Sequence, residues 1–237
     1  MQVVGFGKAY GNFKPDRCKP ESFGKIVIAG QQFGVERIWA PNPQDFNAQI
    51  ARPSDFSQTY SVNGMRIRLG VNASGCEQLG KGEAIFFATA DCHTIIVFDR
   101  TSGRTLAFHA GLKELYDRAR VVDEPESKWR QFESVIDAGL NFFNRRVNDL
   151  QFFICFGIGN GYKMPLNHPK HGEFNRQFRD YIPERWGAYF SCFGARDSDE
   201  LNLKLLIRLQ LYAANVRHDQ IKEDRVDTFH DIEPGKD

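Results

Sequence analysis

Apolar and polar positions follow two rhythms along this chain. Continuous apolar runs, Ala84 to Ala90 and Ile95-Ile96-Val97-Phe98, predict strands buried on both faces, since a strand with one wet face would interleave polar side chains. Met65 to Leu69 does interleave apolar with basic residues and predicts a half-exposed strand. After Asp99, the segment Arg100-Thr101-Ser102-Gly103-Arg104 carries a turn signal and Thr105-Leu106-Ala107-Phe108 resumes the apolar run, so the pattern predicts a hairpin. Leu150 to Ile158 predicts a further buried strand, with shorter ones at Ile26 to Ala29 and Val35 to Trp39. Between Ala40 and Ser61 the periodicity is weak and Pro41-Asn42-Pro43 breaks it, which predicts an irregular loop. Helical spacing appears where Trp129, Phe132, Val135, Ile136, Leu140 and Phe143 share one side. It returns where Leu201, Leu205, Leu209 and Tyr212 follow Asp197-Ser198-Asp199-Glu200, a cap residue with Glu three positions later. No internal repeat interrupts this mixture, so the fold class is α+β, a sheet core with helices packed outside.

Composition narrows the picture. With 237 residues, 41% of them hydrophobic, the chain suits one large domain, 1–237. A formal net charge of +1 provides no broad basic field, so nucleic acid and anionic membrane surfaces are not the default partners, and a small neutral or phosphate-bearing ligand fits better. Five cysteines without a CxxC pair or a secretory leader point to a reducing compartment, the cytoplasm. No apolar run approaches the ~20 residues a membrane-crossing helix needs.

The chemistry concentrates at the two ends of the predicted hairpin, Thr89-Ala90-Asp91-Cys92 and Phe108-His109-Ala110-Gly111. Folding it returns the Cys92 thiol to the His109 imidazole, either as a nucleophile with its base or as two ligands of a zinc ion that needs a third. Strand alternation turns His93 away from whatever Cys92 faces. Asp91 can orient an imidazole or cap a turn, and Gly157-Ile158-Gly159-Asn160-Gly161 permits close backbone approach to a ligand or simply a tight turn. His168 and His171 are candidate substitute metal ligands, with a solvated loop as the plainer reading. Cys18, Cys76, Cys155 and Cys192 have no motif around them and read as structural. The 21 Phe residues read as a bulky core, although a purine would need one or two such rings.

Several of these blocks, in order, resemble the bacterial laccase-domain proteins, also called multicopper polyphenol oxidases and regarded as zinc-dependent purine nucleoside phosphorylases. Thr89-Ala90-Asp91-Cys92 and His109-Ala110-Gly111 are similar to the family's TADC and HAGW blocks, at the family's separation. Ile158-Gly159-Asn160-Gly161-Tyr162 is similar to its IGP segment and following YE pair. Asp199 to Val216 is similar to its DL-x-x-LNR-x-QL-x-x-AGV helix, with Asp227-Thr228 where the family reads CT. The resemblance implies a mixed two-sheet β core with flanking helices and a zinc held by two His and one Cys. It also implies phosphorolysis of adenosine, inosine or methylthioadenosine, with some adenosine deamination.

Carried over by position, Cys92 and His109 are catalytic and metal-binding residues, while Lys113, Gly159, Gly161 and Tyr162 contact substrate or phosphate. The third ligand belongs in a QVHG block whose best match is Gln31-Gln32-Phe33-Gly34, which puts Phe33 where the His should stand. Leu112 replaces the Trp of HAGW, Lys113 the next Arg and Lys163 the Glu after Tyr162, and the family's arginine-rich tail is missing. A phenyl ring has no lone pair for zinc, and two ligands hold metal too loosely for a defined site. Three functions therefore compete: a zinc-dependent purine nucleoside phosphorylase or deaminase, a metal-free Cys-His hydrolase or glutamine deamidase, and a non-catalytic homologue that binds a nucleotide or protein.

Overall fold

The structure is a computed structural model that describes residues 31–32, 34–41, 50–78, 80–87, 92–116, 133–158, 162–187, 191–193 and 199–224. A six-stranded sheet dominates it. Its strands are β2 (Ile50–Ala51), β5 (Gly75–Gln78), β7 (His93–Asp99), β8 (Thr105–Ala110), β9 (Leu150–Cys155) and β12 (Ile221–Glu223), in the order β12-β9-β7-β8-β5-β2. The inner pairings are antiparallel and the outermost on each side parallel. A second sheet of order β3-β4-β1-β6 joins β1 (Arg37–Trp39), β3 (Gln58–Val62), β4 (Met65–Leu69) and β6 (Glu83–Ile85). A small antiparallel pair links β10 (Tyr162–Lys163) to β11 (Glu200–Leu201). The helices are α1 (Leu112–Leu115), α2 (Val135–Phe142), α3 (Gly172–Trp186) and α4 (Leu203–Ala213). This is the α+β class expected, with two mixed sheets and flanking helices.

The β7–β8 hairpin closes because Asp99 organises its own turn. One carboxylate oxygen accepts from the Thr101 amide at 2.9 Å, and the other accepts from the Ser102 hydroxyl at 2.6 Å and from Arg146 at 2.9 Å. Those bonds satisfy a carboxylate that has no solvent exposure.

Alternation then gives the six-stranded sheet two different faces. Ile95, Val97, Leu106, Phe108, Phe152 and Ile154 point to the helices and form the main core with Leu140, Phe178, Leu206 and Ile207. Ile96, Ala107 and Cys155 point the other way and pack with Ile85 and Phe87 of the segment around β6. Pairing places His109 opposite Thr94 and Thr94 opposite Cys155, so these residues make one row across that second face.

Several expectations are corrected. The run from Ala84 continues as strand only to Ile85 among the described residues; the Phe86 amide makes a last bond to the Trp39 carbonyl at 2.8 Å, and the Phe86 and Phe87 side chains pack into separate apolar clusters. The stretch from Ala40 to Ser61 is not wholly irregular, since β2, a 3-10 turn and most of β3 lie within it. Helix α4 begins at Leu203, capped by Asn202, whose side-chain oxygen accepts from the Leu205 amide at 2.9 Å. Glu200 and Leu201 belong to β11 instead, and the face buried by α4 comprises Leu203, Leu206, Ile207, Leu209, Gln210 and Leu211. The amphipathic segment from Trp129 is helical over Val135–Phe142, opened by Ser134, and its first part lies outside the described residues. The proposed strand Ile26 to Ala29 and the Asp197-Ser198 cap also lie outside them.

Candidate active site

Cys92 immediately precedes β7, and His109 is the penultimate residue of β8. Register pairs His93 with Ala110, which carries Cys92 to the level of Gly111 on the same face as His109. Gly111 begins the short helix α1, and that turn brings Glu114 back over the imidazole. A methyl group added at Gly111 would lie 2.8 Å from Glu114 Oε2, 2.9 Å from Cys92 Sγ and 3.1 Å from His109 Cε1. Sulfur, carboxylate and imidazole thus converge on one α-carbon, and only a glycine leaves them room.

His109 Nδ1–H donates to Glu114 Oε1 at 2.9 Å, and the imidazole is also hydrogen-bonded to the Cys92 side chain. Glu114 is 1% exposed and His109 8%, whereas Cys92 is half-buried. Burial pulls the imidazole pKa down, but the Cys92 sulfur and the Glu114 carboxylate outweigh it and push His109 up to about 9. The remaining described thiols sit differently. Burial pushes Cys155 up to about 11 and Cys192 up to about 12, and raises Cys76 further with help from Glu77. Cys18 lies outside the described residues.

His93 faces the opposite side of the sheet from Cys92, as strand alternation requires. It is fully buried, its Nε2–H donates to the Ile158 carbonyl at 3.1 Å, and Nδ1 has no hydrogen-bond partner among the described residues. Burial, aided by the positive charge of Lys204, pushes its pKa down to about 4. Because the folded value lies below the ordinary 6.5, its contribution to stability is complete above about pH 6.5 and is lost as pH falls toward 4. We expect this loss to be on the order of 3 kcal/mol, read from chemical unfolding at successive pH values, with His93→Asn showing a shallower slope over that window. His109, with its raised pKa, is protonated in folded and unfolded chains at the acid end of the window, so it does not reproduce that slope.

Of the residues singled out from sequence, the hairpin brings together Cys92 and His109. Lys113 is exposed on α1, one position from Glu114. Gly159, Gly161, Asp91 and Phe33 lie outside the described residues, and so does the side chain of Tyr162. His168 and His171 stack on each other at 4.8 Å between ring centroids, and His168 Nδ1 accepts from the Lys170 and His171 amides at the start of α3. They join no donor cluster with Cys92 and His109. His168 Nδ1 is occupied by those two amides. The residue that sequence reading missed is Glu114, whose signal was a carboxylate following His-Ala-Gly at a distance that one helical turn closes.

The metal expectation can be tested on these donors. Among the described residues no group of three His, Cys, Asp or Glu side chains is placed to hold an ion, and Glu114 is committed to the imidazole. Two donors fit neither a three-ligand zinc site nor a copper cluster built from several imidazoles.

Comparison with known proteins locates this geometry within a family. Residues 70–233, well over half of the chain, match the profile of the multi-copper polyphenol oxidoreductase laccase family. No curated protein sequence matches the chain. Among solved structures, a Neisseria meningitidis protein, NMB0706, superposes with a TM-score of 0.58 at 14% identity, covering 95% of this chain and 78% of that one. YlmD from Geobacillus stearothermophilus gives a TM-score of 0.53 at 18% identity, with 86% and 68% covered. The hypothetical protein YfiH of Bacillus licheniformis gives 0.52 at 15%, with 88% and 70% covered. These likenesses establish a shared fold, and no helix among the described residues is long and apolar enough to cross a membrane. With both Cys92 and His109 inside the matched span, the chain belongs to the multi-copper polyphenol oxidoreductase laccase family.

Proposed function

We propose that this protein is a metal-independent thiol hydrolase that cleaves an amide or ester of an acyl substrate, with a glutamine side-chain amide as the favoured class. The observation that carries the reading is the imidazole of His109 held between the Cys92 sulfur and the Glu114 carboxylate. Such a chain of contacts is what nucleophilic acyl transfer requires: a nucleophile, a base within hydrogen-bond reach, and a third group that fixes the base. The thiol proton is transferred to His109 before attack, giving the imidazolium that the raised pKa favours, and the sulfur then adds to the carbonyl carbon. The C–N or C–O bond breaks when the imidazolium returns that proton to the leaving group, and a water molecule then hydrolyses the thioester with His109 as its base. Glu114 keeps Nδ1 protonated throughout, so Nε2 is the nitrogen that exchanges protons. A reducing compartment suits this chemistry because Cys92 must remain a thiol.

Iodoacetamide provides the test. Cys92 is expected to alkylate at least ~10-fold faster than Cys76, Cys155 and Cys192, and His109→Ala to remove most of that advantage. Peptide mapping by mass spectrometry reads both. Equal labelling of the accessible thiols, or a Cys92 rate indifferent to His109→Ala, overturns the hydrolase reading.

Family membership supports a second reading, phosphorolysis of a purine nucleoside with Cys92 and His109 as zinc ligands and Lys113, Gly159, Gly161 and Tyr162 around phosphate. It calls for a further metal ligand in addition to the described donors. Near-stoichiometric zinc after chelator-free purification, with phosphate-dependent consumption of adenosine or inosine that Cys92→Ala abolishes, would favour it over the hydrolase.

A further inference from the structure

Strand alternation fails at one place beside Cys92. Cys155 ends β9 on the same face as Thr94 and His109, so the next residue, Phe156, should turn its side chain toward the helices. Its ring packs instead with the cluster of Ile96, Ala107 and Cys155 on the reactive face, and not with the main core. The backbone shows how: Phe156 has a φ of +39°, a left-handed conformation that a bulky aromatic residue rarely adopts. Strain of that kind persists only where the surroundings enforce it, and it collects at functional sites. Asp224, the residue after β12, enforces it here. Its Oδ2 accepts from the Phe156 amide at 2.6 Å, and Lys204 Nζ stands 3.8 Å from its other oxygen. The outcome is a half-buried ring at the same margin of the sheet as Cys92, which lies two residues before Thr94 on the shared face. Phe87 and Phe153, also half-buried, continue that apolar wall.

We propose that Phe156 is a specificity-determining residue of the Cys92 site, and that the acyl substrate lays an apolar or aromatic group against its ring, beside the carbonyl that the thiol attacks. This assignment rests on the acyl-transfer reading and narrows it: a glutamine amide would be taken from a peptide in which an apolar side chain adjoins the glutamine. A ring that only filled the core would need neither a strained backbone nor a partly exposed surface. Phenyl rings hold flat and branched apolar groups by dispersion and offset stacking, whereas a charged group at that spot would lose hydration without gaining a partner. Asp224 is a positioning residue, because it acts on the ring through the Phe156 amide.

Two neutral alkylating reagents, iodoacetamide and N-benzyliodoacetamide, test the assignment on the full chain, with Cys92 rates read by peptide mapping and divided by those of free glutathione. Cys92 is expected to prefer the benzyl reagent by at least ~5-fold. Phe156→Leu should bring that ratio close to parity, and Phe156→Tyr should keep it. Asp224→Ala should lower the ratio although the ring itself is untouched. A purely structural role for Phe156 would change both rates together and leave their ratio alone, which overturns the assignment, as does a ratio near parity in the parent protein. N-benzylacetamide, which cannot alkylate, gives a reading that needs no substitution: saturable protection of Cys92 from iodoacetamide is expected, and protection no greater than acetamide provides overturns the assignment. A Cys92 that reacts with iodoacetamide no faster than Cys155 removes the acyl-transfer reading together with this one. A fast Cys92 without the benzyl preference removes this one alone.

Discussion

Replacing Glu114 by glutamine is expected to lower turnover by ~10²–10⁴-fold while leaving the fold intact, by the same logic as losing the buried orienting acid of a catalytic triad. The amide oxygen can still accept from His109 Nδ1–H, so shape and one hydrogen bond survive. The negative charge that helps hold the imidazole near pKa 9 does not. Burial then acts with less opposition, and the His109 titration should move down toward neutral pH. Two readouts separate this from a simple loss of packing: the pH titration of the His109 ring by NMR and the pH profile of Cys92 alkylation, which should shift together. A His109 titration unchanged in Glu114→Gln would show that the carboxylate does not govern the site.

Gly157→Ala carries the largest expected effect on stability. Gly157 adopts φ of +148°, and a Cβ there would lie 2.6 Å from His93 Cε1 and Cγ and closer still to Nδ1. The ring cannot retreat, because it is fully buried and its Nε2–H is held by the Ile158 carbonyl. Overpacking combined with backbone strain should cost ~3 kcal/mol or more. In a chain of this length that lowers Tm by ~6–12 °C. His93→Ala in the same background should recover a measurable part of the loss, since the two groups occupy one volume. A Tm within a degree or two of the parent protein would contradict the packing described.

What could be read from the residues alone was decided by where each element faces. The β7–β8 hairpin was legible because its strands are buried on both sides and its turn carries Ser and Gly. Strand β3 was not, since most of its side chains face solvent and leave no apolar rhythm. Helix α3, the longest of the described helices, went unread for a related reason. Its buried positions are largely aromatic, Phe174, Phe178, Tyr181 and Trp186, its outer face is crowded with charge, and Pro183 interrupts it. The start of α4 was misplaced because Asp199 and Glu200 resemble a capping sequence, yet Glu200 is drawn into β11 against Lys163 and the cap moves to Asn202. At the site, the thiol and imidazole stood out because each lies at one end of the predicted hairpin. Glu114 did not, because a four-residue helix leaves no periodicity to detect.

Cys92 and His109 sit at the margin of the two innermost strands of a six-stranded ladder, each strand flanked by neighbours on both sides. Their spacing is therefore set by main-chain bonding rather than by any surface turn, and amide exchange along β7 and β8 should be among the slowest in the molecule. Selectivity, by contrast, falls to the connecting segments around that rigid centre. Divergence in those segments can change what is recognised while the ladder stays fixed, and solved structures that share fewer than a fifth of their residues with this chain keep the same fold.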